Sequence, residues 1–231
     1  MRYGFLILAF VSLLGGTARR AVCAQSASSP PLSATPVESA RTIDGVAARI
    51  EDDIITESEL RELAAFQDLV DGRGKPRADL IRELADQWMV RGEADAAKYP
   101  QPSQDDVDRA YAKLAARFSS SDEFKNRCAA VGLSEVEIRG MLAQQLYLSR
   151  FLDYRFRPAA QVDQKQIESY YNDEFVPQLK SRNEPIPALD DVEDTIREVL
   201  IQRAINDRSA QWLEETRARL RIDVMPQGDR P

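Results

Sequence analysis

Residues 43–60 read IDGVAARIEDDIITESEL, and how this stretch folds decides the architecture. Its first eight residues are rich in β-branched side chains, Glu51-Asp52-Asp53 makes a polar turn, and Ile54-Ile55 resumes the apolar run. A short strand pair or extended hook is predicted. Thr56-Glu57-Ser58-Glu59 is a capping box. The threonine oxygen is placed to accept the third helical amide, and the glutamate reaches back to the threonine's own amide. A helix is expected from there to about Val70.

Downstream the pattern is helical almost to the end. Asp71-Gly72-Arg73-Gly74-Lys75-Pro76 is a breaker cluster, after which Leu80, Ile81, Leu84, Ala85, Trp88 and Met89 recur on one helical face up to Tyr99-Pro100. Boxes at Ser103-x-x-Asp106, Ser120-x-x-Glu123 and Ser134-x-x-Glu137 open three more helices. The last of these follows Gly132, which suits a helix end, and runs with a broad apolar stripe from Glu135 to about Arg157, where Pro158 stops it. Asp163 to Phe175 reads as an amphipathic helix closed by Pro177, and Ser181 to Pro187 as a polar connector. Asp190-x-x-Glu193 opens a long helix, and Leu220 to Val224 alternates like a strand. No repeat of fixed period is present.

Upstream, Met1-Arg2-Tyr3-Gly4 leads into FLILAFVSLL, an apolar run from Phe5 to Leu14 that is too short for the roughly 20 residues a spanning helix needs. The layout is that of a secretory signal with cleavage near Ala24, where Val22 and Ala24 supply the small residues read by the peptidase. The residues before Cys23 lack the lipoprotein pattern, and Arg19-Arg20 follow the apolar run, whereas a twin-arginine signal precedes it. Residues 25–41 are rich in Ser, Ala and Pro and are expected to be a flexible tether. The expected organisation is a signal over 1–24, the tether, and one domain over 42–225. Within that domain, 42–158 forms the first helices, 159–189 a connecting helix and linker, and 190–225 the final helix and strand. Export and no stable membrane insertion are expected from the signal.

Composition narrows the chemistry. The 231 residues contain no histidine, so Ser-His-Asp and Cys-His catalysis and histidine-ligated metals are excluded, and no cofactor is expected. The net charge of -7 disfavours nucleic acid and anionic membranes, which demand a basic patch. Of two cysteines, Cys23 is expected to leave with the signal, and Cys128 is expected as a small apolar filler. The acidic pairs Asp52-Asp53, Asp105-Asp106 and Asp190-Asp191 sit at turns or helix starts, where acids satisfy free amides and favour the helix dipole.

Three stretches, in order, resemble one family. IDGVAARIEDDIITESEL is similar to the opening of the SurA-type periplasmic chaperones, VDQKQIESYYNDEF to the helix that enters their parvulin isomerase domain, and DDVEDTIREVLIQRAINDRSAQWLEETRARLRIDV to their terminal helix and strand. Between Phe175 and Asp190, where the family carries parvulin domains, this chain has only a short linker. The resemblance therefore implies the chaperone core alone: a mostly α, multi-helix fold with a short β hook paired to a C-terminal strand, making Ile222 and Val224 neighbours of Val46 to Ile50.

The implied function is a periplasmic holdase-like chaperone for unfolded or extended exported polypeptides, such as outer-membrane protein precursors, without isomerase activity. A proline isomerase-related enzyme and a helical adaptor subunit of an envelope complex are the alternatives, and dimerisation is left open. The candidate client-binding residues are the aromatics Tyr147, Phe151, Tyr154, Phe156, Tyr170, Tyr171 and Phe175, since rings with a polar tip grip varied apolar side chains at low entropic cost. The competing reading, which the residue types favour, is that most of these rings fill the core.

Overall fold

The computed structural model describes residues 44–226, and the expected signal and tether lie outside the described residues. Strands β1 (Val46–Ile50) and β2 (Asp53–Thr56) form an antiparallel hairpin. It reverses at Glu51, which takes a positive φ of 48°. Strand β3 (Ile222–Val224) pairs antiparallel on the other side of β1, giving the order β2-β1-β3. The register sets Ile222 opposite Ile50 and Val224 opposite Ala48. Ala48, Ile50 and Ile55 are buried while Arg49 and Ile54 are exposed, so the sheet has one core face and one wet face. The fold is mostly helical with a short β hook, as expected.

The caps set the helix starts. Thr56 and Glu59 form the reciprocal box that opens α1 (Glu57–Asp71), and Gly72 closes it in the left-handed region at φ 66°. Helix α2 (Arg77–Ala96) begins after Pro76. Ser103 with Asp106 opens α3 (Gln104–Ala115), and Ser134 with Glu137 opens α5 (Glu135–Phe156). Before α4 (Ser121–Val131) only half the expected box forms: Ser120 accepts the Glu123 amide, but the Glu123 carboxylate turns to the amide and hydroxyl of Ser119. Gly132, at φ 74°, ends α4.

Two helix ends differ from expectation. Pro177 does not close the helix begun at Asp163. Helix α6 (Gln164–Tyr170) passes into a π turn over Tyr171–Phe175 and continues as α7 (Val176–Arg182). In an ordinary helix the proline ring would collide with the carbonyl four residues back. Here the Val176 amide reaches back five residues to the Tyr171 carbonyl, and this widened turn admits the ring. Asn183, at φ 58°, ends α7, so the irregular connector is shorter than expected. Helix α8 (Leu189–Arg217) starts from Ala188 without a side-chain cap. Glu193 bonds Arg197 at 2.5 Å instead of reaching back to Asp190.

Three apolar clusters hold these elements together. The first joins the sheet's core face to α1 and the start of α2 through Ile50, Ile55, Leu60, Leu63, Leu80 and Ile81. The second joins the end of α1 to α3, α4 and the start of α5, and Cys128 is a buried apolar filler there. The third joins the ends of α2, α5 and α8 through Met89, Val90, Tyr147, Phe151, Leu152 and Leu213. Helix α6 packs against α8, where Ile167 and Ile196 are buried. Helix α7 has no buried residue.

Candidate functional site

The site is built where α2 stops and α5 runs on. Lys98 takes a positive φ of 51°, and the Tyr99 amide turns back to the Ala94 carbonyl at 2.9 Å. This reversal throws the Tyr99 ring onto α5, where its hydroxyl donates to the Arg150 carbonyl at 3.2 Å. Tyr147, Phe151 and Tyr154 follow one another at helical spacing along the facing side of α5. Their ring centroids lie 6.0, 5.6 and 5.4 Å from that of Tyr99, so Tyr99 is the hub of a four-ring cluster.

Depth divides the cluster. Tyr147 is 4% exposed and Phe151 is 2% exposed, because α2 and α8 cover them. The Tyr147 hydroxyl donates to Asp95 at 2.7 Å, and burial together with that bond pushes its pKa up to about 12. It stays a neutral donor. Tyr154 is 63% exposed. Its hydroxyl has no hydrogen-bond partner among the described residues.

Two open clefts flank Tyr154. One, of about 540 Å³, is lined by Tyr99, Arg150, Asp153, Tyr154, Arg157 and Pro158. The other, of about 450 Å³, is lined by Phe151, Tyr154, Pro158, Ala96 and Ala97 with Glu93 and Arg155 at its rim. Every charge on the rims is paired within the protein. Arg150 holds Asp106 at 2.8 Å, and Arg155 holds Glu93 at 2.7 Å. Arg157 bonds both Asp153, at 2.8 Å, and Glu198, at 2.7 Å. The Arg157 guanidinium holds the Asp153 and Glu198 carboxyls below their usual range, and the Arg150 guanidinium, with Ser103 and Arg109, holds Asp106 well below it. The clefts thus present rings and small apolar groups inside a self-neutralised border.

The other candidate aromatics lie elsewhere. Phe156 is half-buried against Trp212, with ring centroids 6.0 Å apart, and the Arg155 guanidinium covers the Trp212 ring at 4.9 Å. The Arg203 guanidinium lies over Tyr170 at 5.1 Å and pairs with Glu174 at 2.7 Å, clamping the π turn to α8. Tyr171 and Phe175 stack at 6.0 Å, and the Tyr171 hydroxyl ties the connector down at the Pro187 carbonyl. The seven residues therefore fall into an α5 group and a π-turn group, and among the described residues Tyr154 is the one large aromatic with most of its surface in solvent. Tyr99 was missed from sequence because Tyr99-Pro100 reads only as a helix end. An aromatic placed directly before that proline is the signal that could have marked it.

One member of each of two acidic pairs makes a structural bond. Asp53 accepts from the Trp88 indole at 2.8 Å, and Asp106 completes a cap. Among the described residues no group of three or more Cys, Asp or Glu side chains converges as a metal site, and no helix is long and apolar enough to cross a membrane. No family model matches the chain, and no curated protein is significantly similar to it.

Proposed function

We propose that the chain is a periplasmic holdase-like chaperone that holds unfolded or extended exported polypeptides, outer-membrane protein precursors among them, through an aromatic surface. The observation that carries this reading is Tyr154: a solvent-facing ring on a rigid, buried aromatic base, with an apolar cleft on either side. Large rigid side chains of this kind contribute contact area while losing little rotamer freedom, which suits contact with varied partners. The paired rim charges favour uncharged stretches of a client over any one charged sequence. Holding needs no nucleotide, metal or cofactor.

The SurA-type resemblance supports the same reading, and the expected secretory signal supports the periplasm. Isomerase activity is disfavoured, because residues 176–188 form only α7 and a short connector where the resembled family carries its catalytic domain. The test is light scattering during dilution of an unfolded outer-membrane protein from denaturant. The chain at several-fold molar excess suppresses the scattering; an unchanged trace at that excess sinks the proposal.

A further inference from the structure

We infer that the two clefts astride Tyr154 take a proline-bearing, uncharged segment in the polyproline II conformation, an inference that rests on the holding function proposed above and names its preferred client sequence. Three features of the clefts point to this occupant. Their apolar walls are the Tyr99, Phe151 and Tyr154 rings, the Pro158 ring and the Ala96-Ala97 pair, and the Tyr99 and Tyr154 rings tilt 40° to each other, so they offer aromatic faces against which another pyrrolidine ring packs well. Both clefts are open to solvent, so they bury little of any occupant. A segment already stiff in its bound form loses the least entropy on such a surface.

Charge complementarity gives the second feature. Arg150, Arg155 and Arg157 have their carboxylate partners within 2.8 Å, and Glu93 and Asp153 have their arginines. An acidic or basic segment meets charges that are already neutralised, so it gains little for the water it gives up. A neutral segment has no charge to desolvate.

The third feature is the Tyr154 hydroxyl, a donor without a partner among the described residues and set on the ridge between the clefts. Polyproline II carbonyls carry no internal hydrogen bonds and point outward, so each is a ready acceptor. With three residues per turn and about 3.1 Å of rise per residue, prolines at i and i+3 stand on one edge about 9 Å apart. They enter the two clefts while the intervening backbone crosses the ring and accepts from its hydroxyl.

The test is calorimetric titration of the full-length chain with blocked, uncharged peptides carrying two prolines three positions apart, against the same peptides with both prolines changed to alanine and against versions bearing two lysines or two glutamates. The proline peptide is expected to bind about tenfold or more tightly than each of the others. Tyr154→Ala removes that preference at unchanged thermal stability, and Tyr154→Phe keeps the stacking while losing a few-fold from the hydroxyl. Equal binding of the proline and alanine peptides, or a preference that survives Tyr154→Ala, overturns the inference. If unfolded clients are still held through Tyr154 in that case, the holding function stands and only the proline preference falls. A Tyr154-dependent proline preference in a chain that fails to suppress aggregation supports the inference and sinks the holding function instead.

Discussion

The Arg217 guanidinium lies 2.5 Å from the Asp86 carboxylate and so ties the last turn of α8 to the middle of α2 across 131 positions of sequence. The two side chains are 20% and 19% exposed, and burial pushes the Asp86 carboxyl upward against the pull of its partner. Removing either partner strands a half-shielded charge. Asp86→Ala and Arg217→Ala are each expected to cost about 2 kcal/mol, less than a fully buried pair because water still reaches the site. The double variant should lose less than the sum, which urea midpoints at constant m-value would read.

Phe151 and Tyr154 are three residues apart on one helix and should behave as opposites. Phe151→Ala empties a position that is 2% exposed in the third cluster and is expected to cost about 3–5 kcal/mol. Tyr154→Ala trims a side chain that is 63% exposed and should change stability by about 0.5 kcal/mol or less. Chemical denaturation of both variants decides it; equal losses would contradict the burial described.

The Arg157 network makes stability depend on acid. Asp153 and Glu198 are held below their ordinary values of 3.8 and 4.5 by Arg157. Carboxylates depressed by folding contribute stability that is complete above those values and is lost as pH falls through the lower, folded ones. Asp86, raised by burial, runs the other way and gains as it takes up a proton. The midpoint of thermal unfolding is therefore expected to fall as pH drops below about 4, with a shallower fall in Arg157→Ala than in the parent. A steeper fall in the variant would contradict the network.

Caps whose boxes are complete should matter more than the one that is not. Thr56→Ala is expected to cost about 1 kcal/mol, because Thr56 and Glu59 satisfy each other's amides at the junction of hook and helix. Ser120→Ala removes a single bond and should fall at the lower end of the same range, about 0.5 kcal/mol. Denaturant melts of the two variants measure the difference.

What was legible in the sequence was local. Thr56, Ser103 and Ser134 announced their helices because a cap and its partner sit three residues apart, and Gly72 and Gly132 announced ends because they relieve a left-handed backbone. The π turn before Pro177 was not legible, since a proline after a helix reads equally as its end, and only the widened turn reveals that the helix continues. The aromatic stripe of α5 was visible, but its depth was not: Tyr147 and Phe151 are covered by residues of α2 and α8 while Tyr154 is left exposed, and that division is set by elements distant in sequence. The role of Tyr99 depends on the Lys98 backbone turning left-handed, which no neighbouring residue type demands.

A photo-crosslinking amino acid placed at position 154 tests most directly whether this ring touches clients. Val136, 79% exposed and about 27 Å away near the start of α5, supplies the control position. With an unfolded outer-membrane protein present, the probe at 154 should give a crosslinked adduct and the probe at 136 little. Folding the client beforehand should abolish the adduct. Equal yields from the two positions, or no adduct at 154, would contradict a holding surface centred on Tyr154.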